Sequence, residues 1–417
     1  MITGPPNAAA APGAKIPWLN RTVLGIGLAS LFSDWSHEIA TTVLPAFLAT
    51  LGGAAVWLGL IEGVADGLSS LAKLASGYYT DQLARRKPIA VAGYLVTALG
   101  TASFGLASAP WHILTARAVA WFGRGVRTPV RKALLAGSVT RETYGRAFGF
   151  ERMLDTLGAI VGPASAYVLL QFLAPHYSRI FAWTLIPSLT AAGLMAWLVK
   201  EQERKPVAHV SFDQQVRGLP ARYRRFVLAV GLFGAGAFAP TFLILLAVQK
   251  LTPTLGATRA AGVAVALYVL HNVIAALFAL LGGRLGDRFP KQRLLAAGYG
   301  LFALMSLAIL LLPPTVGTLA LIFILGGASV ALAETLADSL CAELTPAAQH
   351  GMAFGVLATV NGAGDCVSSI LVGALWTGLG TTAAFGYSAA LALAGAWLVL
   401  RISSPSHTAH AINGSSN

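Results

Sequence analysis

Seven stretches of the chain, 88–116, 156–178, 180–199, 226–249, 260–283, 294–333 and 366–400, contain no Asp, Glu, Lys or Arg. A segment crossing the hydrocarbon core needs about 20 apolar residues. Each run is therefore of membrane length, and 294–333 holds two spans separated at Pro313-Pro314. Backbone in lipid satisfies its hydrogen bonds only as helix or closed barrel. The Leu/Ala/Gly-rich texture lacks the alternation of a barrel strand, so it predicts helices. Only 11% of the 417 residues are charged and 56% are hydrophobic, against about 25% charged in an average soluble chain. Lipid has to cover what charge does not.

The net charge of +13 is arranged by topology. Arg85-Arg86-Lys87, Lys200 with Arg204-Lys205, Arg222 to Arg225 and the segment 284–293 fall in alternate gaps between spans. The intervening gaps, near Gly52-Gly53, Ala109-Pro110, Pro313-Pro314 and 378–381, carry no Lys or Arg. This asymmetry follows the positive-inside rule. It predicts a multi-pass protein of the plasma membrane (the inner membrane of a Gram-negative cell) with both termini cytoplasmic. It also argues against a nucleic-acid footprint. Cys341 and Cys366 show no disulfide or metal spacing.

Twelve helices are predicted, at 21–50, 56–83, 88–108, 111–137, 145–173, 179–199, 224–250, 260–286, 291–313, 316–344, 350–377 and 381–401. The expected organisation is a disordered cytoplasmic tail (1–20), a six-helix bundle (21–200), a cytoplasmic linker (201–223), a second six-helix bundle (224–402) and a C-terminal tail (403–417). An internal repeat supports the division. Gly77, Asp81 and Arg85-Arg86 follow the second span, and Gly283, Asp287-Arg288 and Lys291 follow the eighth, with the two aspartates 206 residues apart. Gly145-Arg-Ala-Phe-Gly149 and Gly351-Met-Ala-Phe-Gly355 open spans five and eleven at the same 206-residue offset.

These segments resemble signatures of the major facilitator superfamily. Gly77, Asp81, Arg85 and Arg86 match its loop signature, with Gly283, Asp287 and Arg288 as the second-half echo. Arg117, Gly123 and Gly125 match its fourth-helix motif, and Gly149, Gly158, Gly162 and Pro163 resemble the antiporter motif of its drug:proton exporter branch. The resemblance implies an all-α integral membrane fold of twelve helices in two pseudo-symmetric bundles. It also implies a secondary transporter without enzymatic activity or cofactor, working on a small molecule, with first-span residues lining a central cavity. In physical terms, Asp81 at a helix end can pair with Arg85 or Arg86, or accept bonds from a neighbouring helix N-terminus, forming an ionic latch. The span-five glycines leave room for a close helix neighbour, and Pro163 removes a backbone bond.

Ionisable residues at bilayer depth are costly and usually functional. Besides Asp81 and Glu343 at span ends, nine of sixteen acids fall within the predicted spans, and four pairs are spaced i,i+4: Asp34/Glu38, Glu62/Asp66, Glu151/Asp155 and Glu334/Asp338. Asp34, His37 and Glu38 share one face of span one. Three readings stay open for them: a proton relay, a metal ligand set, or ion pairs to a basic helix opposite. Carboxylates in a partly dry cavity can exchange protons near neutral pH, so Asp34, His37, Glu38, Glu62 and Asp66 are the coupling candidates. Arg117, Arg124, Arg127 and Arg131 lie within roughly 80° of arc on span four. They face either those acids or an anionic substrate, although Arg131 also fits an ordinary cytoplasmic charge. Arg117, Arg124, Arg127, Glu334 and Asp338 are the cavity candidates, and Lys73, Arg131, Glu151, Arg152 and Asp155 a supporting charge network. No metal is expected. The absence of G-x-x-x-x-G-K-[ST] removes ATP as the driving force.

The expected function is proton-coupled efflux of a small molecule by a monomer in the bilayer. Transport of an organic anion or metal chelate is the rival within the class, and a non-transporting sensor is the remote one.

Overall fold

The computed structural model describes residues 17–52, 55–173, 176–201 and 211–402. Twelve helical passes are present among them. The first half has α1 (Arg21–Thr50), α2 (Ala55–Gln82), α3 (Lys87–Leu106), α4 (Pro110–Gly137), α5 (Tyr144–Leu173) and α6 (Tyr177–Trp197). The second has α7 (Ala221–Leu255), α8 (Ala257–Gly286), α9 (Lys291–Leu311), α10 (Val316–Leu344), α11 (His350–Leu379) and α12 (Thr381–Leu400). Nine of these are long and apolar enough to cross a membrane by length and composition. The other three, α1, α2 and α4, are the helices loaded with embedded charge.

Local chemistry sets the helix ends. Asn20 caps α1 by accepting from the N–H groups of Thr22 and Val23, and its amide also donates to Ser138 O at 2.7 Å. Residues 17–20, expected as tail, are therefore tied to the bundle; the rest of that tail, 202–210 and 403–417 lie outside the described residues. Gly256 and Gly380, at φ +77 and +87, are each the single residue joining two antiparallel helices. Only glycine enters that backbone region without strain.

Two segments differ from the sequence reading. The linker contains a capped helix, Phe212–Arg217, whose Ser211 and Gln214 form a capping box. Span seven, expected unbroken, splits into Ala221–Gly236 and Pro240–Leu255. Pro240 has no N–H and drives the preceding Ala239 into extended backbone (ψ 147), so the helix stops and restarts.

The 206-residue repeat has a direct structural counterpart. Lys132 Nζ lies 2.7 Å from Asp338 Oδ1, the Tyr144 ring 6.4 Å from that of His350, and the Phe148 ring 5.6 Å from that of Phe354. Both members of each pair occupy equivalent places in the two halves. A residue touches its own repeat mate only beside the pseudo-twofold axis, so these contacts mark that axis. Backbones cross tightly around it. A Cβ added at Gly77 would strike Gly351 O at 2.6 Å, and one added at Gly145 would strike Gly283 O.

Candidate functional site

α4 supplies a row of arginines because positions 117, 124, 127 and 131 fall on one side of the helix. The structure gives them different surroundings. Arg117 is 2% exposed; its Nη2 donates to both Glu62 oxygens at 2.9 Å, and its guanidinium lies 3.7 Å from the Trp121 ring centre. Arg124 Nη2 donates to Asp34 Oδ1 at 2.8 Å. Arg131 pairs with Glu151 at 2.9 Å and donates to Ser30 Oγ at 2.5 Å, with Asp155 at 3.9 Å. Arg127 has no carboxylate in contact: it donates to Ser33 Oγ at 2.6 Å and covers the Tyr94 ring at 3.9 Å. The arginine face is therefore largely neutralised from within its own half, although Nη1 of Arg124 and of Arg127 has no hydrogen-bond partner among the described residues.

The remaining embedded acids are less compensated. Among the described residues Glu38 has His37, at 3.9 Å, as its one ion-pair contact, and its side chain is 27% exposed. Asp66 accepts from Trp121 Nε1 at 2.8 Å but has no cation in contact. Lys73, two helix turns further along α2, sits in the field of Asp66 and of Asp365 on α11. Across from Glu38 and Asp34, α8 presents Tyr268 next to Asn272. Those two residues are the 206-residue mates of Glu62 and Asp66. The second half thus answers the acids of the first with a hydroxyl and an amide.

α1 and α5 approach closely at this site. A Cβ at Gly158 would press on Leu31 O and, at 3.0 Å, on Asp34 Cβ, while one at Gly162 would overlap Glu38 Cβ. Glycine at 158 and 162 is what lets the acidic face of α1 lie against α5. Gly149 serves a different neighbour, meeting α8 at Ala279 O. The expectation of room for a close helix holds, with two partners instead of one.

One end of the assembly is closed by paired latches. Asp81 accepts from Gly351 N at 2.9 Å and Met352 N at 2.7 Å at the start of α11, and from Arg86 Nη2 at 2.9 Å. Asp287 accepts from Gly145 N at 2.7 Å, Arg146 N at 3.1 Å and Arg146 Nε at 2.7 Å. Each carboxylate occupies the first turn of a helix in the opposite half, where unsatisfied N–H groups point. Burial raises the Asp287 carboxyl above its ordinary value, opposed by the Arg146 pair and the two N–H bonds. Lys132–Asp338 and the contact between Arg152 and Glu334 add ion pairs between the halves. Further along, Thr359 Oγ1 donates to Ser70 O at 3.3 Å. Beyond that level, among the described residues, no hydrogen bond or ion pair joins the halves, and a Cβ at Gly59, Gly63 or Gly67 would meet nothing within 4 Å. The interface is shut at the latch end and open at the other.

Several expectations need correction. Arg127, expected in the cavity, is 3% exposed behind α1 and α3, because Ser33 and Tyr94 draw it sideways. Arg117 is covered by Glu62 and Trp121. Arg131 pairs with Glu151 and approaches Asp155 as the supporting network has it, and the reading of it as an ordinary cytoplasmic charge falls away. Glu334 and Asp338 do not face the arginines of α4 across an open cavity; they are held by Arg152 and Lys132 at the closed interface. The basic partner of Asp287 is Arg146 of the other half, while Arg288 is exposed. Asp34, His37 and Glu38 form no metal set: no group of three or more His, Cys, Asp or Glu side chains converges among the described residues. Trp121, Ser30, Ser33 and Tyr94 were missed, since helical spacing reveals a face but not its partners.

The Major Facilitator Superfamily profile matches the chain twice, over residues 26–251 and 226–415. An uncharacterized MFS-type transporter of Methanocaldococcus jannaschii is 27% identical over 385 residues, covering 92% of this chain and 95% of that protein. The multidrug resistance protein MdtH of Yersinia pestis is 32% identical over 178 residues, covering 42% of this chain and 43% of MdtH. The fold is shared with a bacterial homologue of the iron transporter ferroportin in an outward-facing state (TM-score 0.74, 14% identity, 91% of this chain and 99% of that one). It is shared also with the E. coli fucose:proton symporter FucP (TM-score 0.73, 17% identity, 92% and 100%).

Proposed function

We propose that this chain, which belongs to the Major Facilitator Superfamily, exports a small molecule in exchange for protons by alternating access. The observation that carries the reading is Glu38, an embedded carboxylate with no Lys or Arg in contact among the described residues, in a gap sealed at one end by two symmetric latches. The positive-inside asymmetry supports a cytoplasmic location, at the plasma membrane, for the latch end and both termini. The conformer is then outward-open. Protons reach Glu38 from outside; opening of the latches and closure of the opposite end expose the same group to the cytoplasm. The resemblance of part of the chain to a protein named for multidrug resistance supports efflux over uptake. A monomer suffices, because both halves of the cavity come from one chain.

Proteoliposomes with an imposed pH gradient test this, screened over organic cations, organic anions and metal chelates. The expected result is flux of one class that follows the gradient, reverses with its sign and stops when the gradient is dissipated. Flux of every class independent of the pH gradient would sink the proton-exchange reading.

A further inference from the structure

Lys73 stands out as the embedded base that the charge network leaves over. Arg117, Arg124, Arg131, Lys132 and Arg152 each contact a carboxylate, and Arg127 is stacked on Tyr94. Lys73 is half-buried on α2 and, among the described residues, has no carboxylate or hydrogen-bond acceptor in contact. Arg124 and Lys132 repel its ammonium, while Asp66 on its own helix and Asp365 on α11 of the other half attract it. Glu38, Asp66 and Asp365 in turn lack a cation in contact. Asp66 and Asp365 thus share one ammonium while Glu38 has no Lys or Arg in contact, leaving the site short of positive charge. The opposite wall, Tyr268 and Asn272, is neutral.

We infer that the transported substrate is an organic cation and that Lys73 is a tethered competitor for its acidic site. The inference rests on the transport reading and adds the sign of the substrate's charge. An anion is disfavoured, since three of the four α4 arginines already pair with carboxylates and Arg127 lies behind α1 and α3 on Ser33 and Tyr94. A bare metal ion finds no three-ligand group among the described residues. An organic cation gains from the uncompensated carboxylates and displaces the ammonium, which a flexible four-carbon stem lets swing aside. In the empty carrier that ammonium supplies part of the missing positive charge, so the two halves can close without substrate.

The test is binding to the purified full-length protein in detergent, which needs no gradient. Tetraphenylphosphonium and tetraphenylborate serve as probes because they match in shape and differ in charge sign. The phosphonium should bind and the borate should not. Lys73→Gln should tighten phosphonium binding by on the order of tenfold, and Asp365→Asn should weaken it by a similar factor. A purely structural Lys73 would leave affinity unchanged or lower it on substitution. Borate binding as tight as phosphonium binding, or phosphonium affinity untouched by both substitutions, overturns the inference. Phosphonium binding with the predicted variant pattern but no gradient-driven flux would sink the exchange reading and leave the charge assignment standing.

Discussion

Proteoliposomes holding the Glu38→Gln protein are expected to lose pH-gradient-driven transport, down to the level of protein-free vesicles, while the protein still inserts and folds. The substitution is nearly isosteric. Glu38 holds no arginine, so the amide strands no buried charge. What disappears is the titratable group, and with it the coupling. Asp34→Asn is a harsher change. It removes the carboxylate that Arg124 contacts at 2.8 Å, and breaking a buried pair costs about 3–5 kcal/mol. Loss of function in that variant would mix lost coupling with lost stability. Wild-type flux in Glu38→Gln would remove this residue from the coupling path, whatever Asp34 does.

The second large effect is expected at the latch. Asp81→Asn keeps the side-chain volume but exchanges an ionised acceptor for an amide. The carboxylate accepts two backbone N–H bonds from the opposite half and one from Arg86. An amide can accept one of the inter-half bonds; its NH2 faces the other donor. Hydrogen bonds to charged groups contribute about 1.5–3 kcal/mol each, so the closed latch should weaken by about 2 kcal/mol, a factor of roughly 30 in population. The check is the labelling rate of a cysteine placed at Ser339, buried at the latch end of α10, in a protein whose Cys341 and Cys366 have been replaced. Labelling should accelerate in Asp81→Asn. Asp287→Asn should behave alike but more mildly, because the Arg146 side chain belongs to the same opposite half and can still reach the amide oxygen. An unchanged rate in both variants would rule out the latch as a determinant of the inward/outward balance.

The fold was largely legible because membrane burial imposes a strong constraint on sequence. Charge-free runs can only be helices, and the bounds read from them fall close to the observed ends of α3, α9 and α12. The repeat was legible too, since Asp81 and Asp287 carry the same backbone-binding task and sit at the same offset. The break before Pro240 was hidden, because a proline inside an apolar run reads equally as a kink or a gap. The site was legible in composition but less so in pairing. Spacing placed four arginines on one face of α4, yet Arg124 meets Asp34 while Arg127, three residues on, meets Ser33. That difference depends on the angle at which α1 crosses α4, which no local pattern encodes. Likewise Lys73 and Asp365 are 292 residues apart, and only the meeting of α2 with α11 makes them one electrostatic unit.

The central claim is that one gap opens alternately at two ends. Spin-label distances across each end test it most directly, with one pair at Leu60 and Ile370 in α2 and α11, and the other at Arg141 and Arg288 beside the latches. All four positions are exposed. Between alkaline buffer and acidic buffer with substrate, the account predicts that one distance shortens while the other lengthens. Two distances that change in the same sense, or an open-end distance that never shortens, would contradict it.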